Sequence, residues 1–147
     1  MYTHILIPTD GSAASERAIA TGIALAKALG ARVTGFHAAP PAVPVVLGKQ
    51  LAKAYMSRDE REKAIEQATA RHLGVIGRAA AKAGVSCETM HVTSDFPADA
   101  ILEAARSRKC DLVVMASHGR HGLAAMLLGS ETQKVLTHAK IPVLVHR

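Results

Sequence analysis

The chain is predicted to be an α/β protein of one domain, a mostly parallel five-stranded sheet with helices on both faces, and three observations lead there. Short apolar runs such as His4 to Ile7 and Leu112 to Met115 are too brief for helices and fit buried strands. Between such runs lie longer segments whose apolar residues recur at helical spacing, and strands separated by helical crossovers pair in parallel. The 49% hydrophobic content is mainly Ala, Val, Leu and Ile, with two Phe, two Tyr and no Trp, which suits helices packed closely on a sheet. At 147 residues the chain is long enough for one well-buried core, so residues 1–147 are taken as one domain.

Taken in order, Thr3 to Pro8 opens the fold as a central strand and stops at Pro8-Thr9-Asp10-Gly11-Ser12. Ser12 caps a helix through Leu29, in which Ala18, Ile19, Ile23, Ala26 and Leu29 share one face and Gly30 ends the run. Gly22 on that face lets the helix come close to the sheet. A second strand, Arg32 to Ala38, is broken by Ala39-Pro40-Pro41. Residues Pro40 to Ser57 carry no clear period and fit either a loop with a short helix or a lid particular to this protein. A long helix follows from Arg58 to Ala83, with Ile65, Ala68, His72, Val75, Ile76 and Ala79 as its inward stripe and Gly84 as its stop. Val85 to Thr93 alternates enough to be an edge strand. Pro97 and Asp99 start a helix to about Arg108, and the fourth strand then begins after Asp111. Ile141 to His146 closes the chain as a fifth strand, and its apolar edge invites pairing with a second copy. No internal repeat or low-complexity tract interrupts this order.

Charge and cysteine content exclude several classes. Lys and Arg outnumber Asp and Glu by 18 to 12, but the basic residues are dispersed among acids, as on a solvated helix face, and aromatic residues are too few for base stacking. Nucleic acid is therefore not an expected partner. Cys87 and Cys110 lack the spacing of a redox pair or a zinc site. No basic-then-apolar leader precedes the first strand and no apolar run reaches the ~18 residues that span a bilayer, so a cytoplasmic protein without a membrane partner is expected.

The chemistry concentrates between Asp111 and Ser130. An apolar strand passes into Ala116-Ser117-His118-Gly119, nine residues intervene, and Gly129-Ser130 opens a short helix to His138. Ser130 and Gln133 have capping-box spacing, which places the helix start at Ser130. Glycine turns beside a helix N-terminus present free N–H groups and a favourable dipole to an anion, so a nucleotide phosphate site is expected. Plainer structural roles are also open: Asp10 as a cap, the glycines as turns, Ser130 as an N-cap. His118 and His121 form an HxxH without acidic or cysteine neighbours, which favours hydrogen bonding over metal. Ser117 and His118 are not expected to act as a dyad, because adjacent side chains diverge.

These residues resemble the nucleotide-binding branch of the universal stress protein family, whose pattern is Gly, two residues, Gly, nine residues, Gly-Ser/Thr. Ala116 stands where the pattern has its first glycine. The opening ILIPTDGS, the GFHA of the second strand, PADAILEAA and the closing IPVLVHR agree with the family in the same order, so the resemblance covers the whole chain. It implies an adenine nucleotide alpha hydrolase-like, Rossmann-like fold with strand order 3-2-1-4-5, which reverses between the first and fourth strands, where open α/β sheets bind ligands.

The resemblance further implies ATP, with magnesium, as the ligand. Pro8, Thr9 and Asp10 would line the adenosine end, with Asp10 near ribose or the metal, and Ala38 would meet adenine through its backbone. Ala116, Ser117, His118, Gly119, Arg120, His121 and Gly122 would cradle phosphate together with Gly129, Ser130, Glu131 and Thr132. If the position of Ala116 requires positive φ, its methyl group costs about 1 kcal/mol; if it merely ends the strand, it costs little. The family also implies a homodimer through the last strand. Three functions remain open at this point: an ATP-binding regulatory module of the stress response, a nucleotide-free interaction protein, and a slow ATPase or phosphotransferase. No Walker lysine follows the glycines, which argues against rapid phosphoryl transfer.

Overall fold

A computed structural model describes residues 1–42, 56–119 and 128–147. Its elements are β1 (His4–Pro8), α1 (Ala13–Leu29), β2 (Arg32–Ala39), α2 (Arg58–Ala83), β3 (Cys87–Thr93), α3 (Pro97–Ser107), β4 (Leu112–Ala116), α4 (Ser130–His138) and β5 (Val143–His146). The five strands form one sheet in the order β3-β2-β1-β4-β5, parallel throughout, as the resemblance implies. β1 pairs with β2 on one side, Ile7 opposite Gly35, and with β4 on the other, Leu6 opposite Val113.

Side-chain alternation in the central strands divides the core in two. Ile5 and Ile7 of β1, with Leu112 and Val114 of β4, face Ile19 and Ile23 of α1 and Leu73 and Ile76 of α2. Leu6, Val113 and Met115 face Ala98, Ile101 and Ala105 of α3 and Val135 of α4. A Cβ built on Gly22 would lie 2.5 Å from Ile7 Cδ1, so the missing side chain is what seats α1 against β1.

The expected terminators of α1 and α2 are borne out. Ser12 accepts the Ser15 N–H as N-cap of α1, and Gly30 and Gly84 end their helices at φ 65° and 72°. Ser57 and Glu60 add a full capping box at the start of α2. Other expectations are corrected. The buried stripe of α2 is Thr69, Leu73, Ile76 and Ala80, while Ile65, Ala68, His72, Val75 and Ala79 are only half-buried on its flank. Alanines on both sides of that helix blur its apolar period, and the sheet selects the face. β3 and β5 are shorter than expected and begin at Cys87 and Val143. Ser130 is the first residue of α4 and not its cap; Gly129 occupies the N-cap, with no side-chain cap bond. Among the described residues no helix is long and apolar enough to cross a membrane. Residues 43–55 of the Pro40 to Ser57 segment lie outside the described residues.

The amino end of the sheet is closed by polar groups. Asp111 accepts the N–H and hydroxyl of Thr3, both at 2.8 Å, and the His4 N–H at 3.0 Å. His4, only 3% exposed, meets the buried Thr34 hydroxyl at 2.7 Å, and that hydroxyl donates to Glu88 at 3.0 Å. Burial lowers the pKa of His4 below its ordinary 6.5, and the Arg32 charge adds to the effect. The folded state thus favours neutral His4 while the unfolded chain titrates normally. Its contribution to stability is complete above about pH 6.5 and is lost as pH falls through the lowered value. Urea midpoints measured at pH 7.5 and 5 should show a fall in the wild type that is smaller in His4→Gln; equal falls would refute the assignment.

Candidate functional site

The order of strands reverses between β1 and β4, so the segments leaving their carboxyl ends diverge to opposite faces and leave a crevice between them. On the β1 side, Thr9 continues the ladder by donating its N–H to the Phe36 carbonyl at 2.9 Å. Its buried hydroxyl accepts the Gly11 N–H and meets Ser15 Oγ at 3.0 Å, so it braces the loop. Asp10 Oδ1 accepts the Ser12 N–H at 3.0 Å and fixes the turn. Pro8 is buried in the last position of β1, opposite Phe36.

Beneath this loop lies a histidine pair that the sequence did not single out. His37 Nδ1 is 2.8 Å from the Thr9 carbonyl, and its ring meets that of His72 edge-on with centroids 4.9 Å apart. Gly11 has φ 77°, and a Cβ there would fall on the His72 ring. The GFHA motif held a signal for His37, but the contact with His72 crosses from β2 to α2.

On the β4 side, Ala116 ends the strand opposite His146 and is buried. Its φ is not positive; among the described non-glycine residues only Lys109 has that conformation. Replacing the pattern's glycine by alanine therefore strains no backbone here. Ser117 leaves the strand, donating its N–H to the His146 carbonyl at 2.8 Å and accepting the Gly129 N–H at 2.7 Å. Contrary to the expected divergence, the Ser117 hydroxyl and His118 Nδ1 lie 2.9 Å apart, because the chain turns sharply after β4. A Cβ on Gly119 would fall on Asp10 Oδ2, so the two loops touch across the crevice. One on Gly129 would lie 3.3 Å from the Ser117 carbonyl and 3.4 Å from His118 Cα.

Helix α4 starts against that loop. With glycine as N-cap and no side chain capping it, the N–H groups of its first turn have no cap acceptor. The Ser130 side chain is exposed. Thr132 is buried and donates its hydroxyl to the Ala116 carbonyl at 3.0 Å. Glu131 accepts the Ala98 N–H at the start of α3 at 2.9 Å and the Lys134 ammonium at 2.9 Å. Of this trio, then, two side chains are engaged in holding α4, and their backbone groups are what remains for an anion. Ala38 is half-buried one residue before the end of β2. The Phe36 carbonyl bonds toward β1 and the Ala39 carbonyl toward Ser94, so by alternation the polar backbone groups of Ala38 point to the side where β1 has ended. Arg120, His121 and Gly122 lie outside the described residues. Among the described residues no group of three or more His, Cys, Asp or Glu side chains is placed to hold a metal ion.

The profile of the universal stress protein family matches residues 1–147. The "universal stress protein in QAH/OAS sulfhydrylase 3'region" of Thermus aquaticus is 37% identical over 147 residues, covering all of both chains. Universal stress protein MJ0531 of Methanocaldococcus jannaschii is 33% identical over 145 residues, 99% of this chain and 82% of that one. Among solved structures, hypothetical protein MJ0577 superposes with a TM-score of 0.75 at 24% identity, over 99% of this chain and 95% of its own. A universal stress protein crystallised in complex with cAMP gives 0.70 at 25% identity, over 99% and 97%. The Archaeoglobus fulgidus protein in complex with dAMP shares the fold, with a TM-score of 0.61 at 20% identity over 99% and 98%.

Positive φ at Gly11 and the ring pressed on it generate a prediction for the loop itself. Gly11→Ala should destabilise the protein by more than ~1 kcal/mol. Adding His72→Ala should cost less in that background than in the wild type, because the steric part is relieved; additive urea-unfolding energies would refute the contact.

Proposed function

The chain belongs to the universal stress protein family, and from that premise we propose that its crevice binds an adenine nucleotide, ATP, as a regulatory module of the stress response. The observation that carries this reading is the meeting of three backbone segments. Asp10, Gly119 and Gly129 converge: a Cβ at Gly119 would fall on Asp10 Oδ2, and one at Gly129 would crowd the Ser117 carbonyl at 3.3 Å. The first turn of α4, uncapped, adds a helix N-terminus to the same place. Relatives of this fold crystallised with cAMP and dAMP support the adenine part of the reading.

In this reading phosphate lies against the Ser117 to Gly119 turn and the N–H groups at Ser130, Glu131 and Thr132, where charge-assisted hydrogen bonds replace those to water. Ala38 offers a donor and an acceptor to the adenine edge, a pairing suited to base recognition by backbone. Asp10 stands where it would accept ribose hydroxyls or face a magnesium ion carried on the phosphates; ATP supplies the negative charge that such an ion neutralises. Neither Gly119 nor Gly129 is followed by lysine, and the reading is of binding, with slow hydrolysis at most.

Calorimetric titration with ATP and magnesium should give a saturable site in the wild type. Gly129→Glu crowds the Ser117 carbonyl and puts a negative charge where phosphate would sit at a helix N-terminus, and should weaken binding at least tenfold, or by roughly 1.4 kcal/mol, without loss of the circular-dichroism signal. Undiminished affinity would overturn the assignment.

The module is proposed to work as a homodimer through the last strand. Among the described residues β5 pairs with β4 alone and stands at the edge of the sheet, and its residues from Val143 to His146 are partly exposed. Val145→Lys should shift sedimentation toward monomer, and an unchanged dimer would exclude this edge as the interface.

A further inference from the structure

Among the described residues Phe96 is the one Phe, Tyr or Trp whose side chain is exposed, at 67%. It also stands where a phenyl ring serves the fold least. Phe96 is the N-cap of α3, a position at which Ser, Thr, Asp or Asn would accept a free N–H, and it makes no side-chain cap bond. The Ala98 N–H is served instead by the Glu131 carboxylate of α4 at 2.9 Å. Single exposed apolar side chains are common on protein surfaces, but this one forgoes a cap as well as burial. The fold gains nothing from the ring, which directs attention to what the ring faces.

The backbone fixes where Phe96 stands. The ladder between β2 and β3 runs one step beyond β3, with the Ser94 N–H donating to the Ala39 carbonyl at 2.9 Å. The Phe96 N–H then bonds Ser94 Oγ at 3.0 Å, and Pro97 keeps Phe96 out of the helical region, at φ −119° and ψ 78°. Because α3 leads from β3 past β2 and β1 to β4, this short connection crosses the carboxyl end of β2 toward the face that α3 shares with α4. Phe96 is thereby held between two fixed points on the rim of the crevice. One is Ala39, next to the Ala38 backbone groups offered to adenine, and the other is Glu131 in the first turn of α4.

We propose that Phe96 is a binding residue of the crevice, its ring lying against the plane of the nucleotide base whose edge meets Ala38. The proposal rests on the reading of the crevice as an adenine-nucleotide site and assigns the base a second contact there. A base has two unlike surfaces: a polar edge that suits backbone N–H and carbonyl groups, and a π face that suits an aromatic ring. Ala38 serves only the edge. Two Phe, two Tyr and no Trp are too few for a nucleic-acid platform, but one ring matches the single base of a mononucleotide. Stacking is tolerant of base identity, so Phe96 supplies affinity while the Ala38 backbone supplies the choice of base.

ATP with magnesium is titrated calorimetrically into the full chain and into Phe96→Ala and Phe96→Tyr. Phe96→Ala should weaken binding about tenfold, as loss of one base–ring stack does, and Phe96→Tyr, which keeps the ring, should stay within about twofold of the wild type. The chain has no tryptophan, so Phe96→Trp adds a single fluorophore at the proposed contact. Saturating ATP should quench its emission, and tripolyphosphate, which has no base, should leave it unchanged. The proposal is overturned by undiminished affinity in Phe96→Ala, by a loss in Phe96→Tyr as large as in Phe96→Ala, by emission that ATP does not alter, or by equal quenching with tripolyphosphate. A wild type that binds no ATP would overturn the reading of the crevice and this proposal together. ATP binding that survives Phe96→Ala undiminished would overturn the role of the ring alone, so the two failures are told apart.

Discussion

The candidate site depends on one hydrogen bond, from the Gly129 N–H to the Ser117 carbonyl at 2.7 Å. Ser117 has just left β4 and is itself held by the His146 carbonyl of β5, so this bond ties two strand ends to the start of α4. Thr132 doubles the tie by reaching the Ala116 carbonyl. A helix start held by its neighbours needs no side-chain cap of its own, which leaves its first N–H groups to another acceptor. Rigidity and openness at the same point follow from the same contacts.

The two ends of the sheet differ accordingly. At the amino end Asp111 returns its carboxylate to Thr3 and His4, and a line of hydrogen bonds leads from buried His4 through buried Thr34 out to exposed Glu88. At the carboxyl end the chain leaves β1 and β4 toward opposite faces, and nothing in the strand order can close the space between them. Gly11, pressed against His72, and Gly119, pressed against Asp10, bring the loops as near as their backbones allow.

Much of this was legible in residues that act locally. Ser12 caps α1 with its own side chain, Gly30 and Gly84 stop their helices through their own backbone, and these elements fall where the sequence predicts. The β1 and β4 runs are buried on both faces, which a continuous apolar stretch announces. Contacts between distant segments were not legible. Ser57–Glu60 and Ser130–Gln133 have the same capping spacing, yet only the first forms a capping box, because Gly129 is fastened to Ser117 and takes the cap position. The His37–His72 pair joins β2 to α2, and no local pattern encodes it. On α2 the alanine-rich flank is as apolar as the buried face, and only the sheet decides between Ile65 and Thr69. The carboxylate of Glu131, a residue grouped with the phosphate site by its position, accepts a hydrogen bond from the start of α3, which leaves only its backbone N–H for an anion.

Ala116 carries a lesson about motifs written in glycine. A glycine in a consensus is commonly taken to mark a conformation that other residues resist, yet here the position is the last residue of a parallel strand, with ordinary negative φ and its carbonyl fixed by Thr132. A methyl group in that setting strains no backbone. Searches that discard chains for lacking this glycine would therefore filter on a torsional freedom that the backbone at this position does not use.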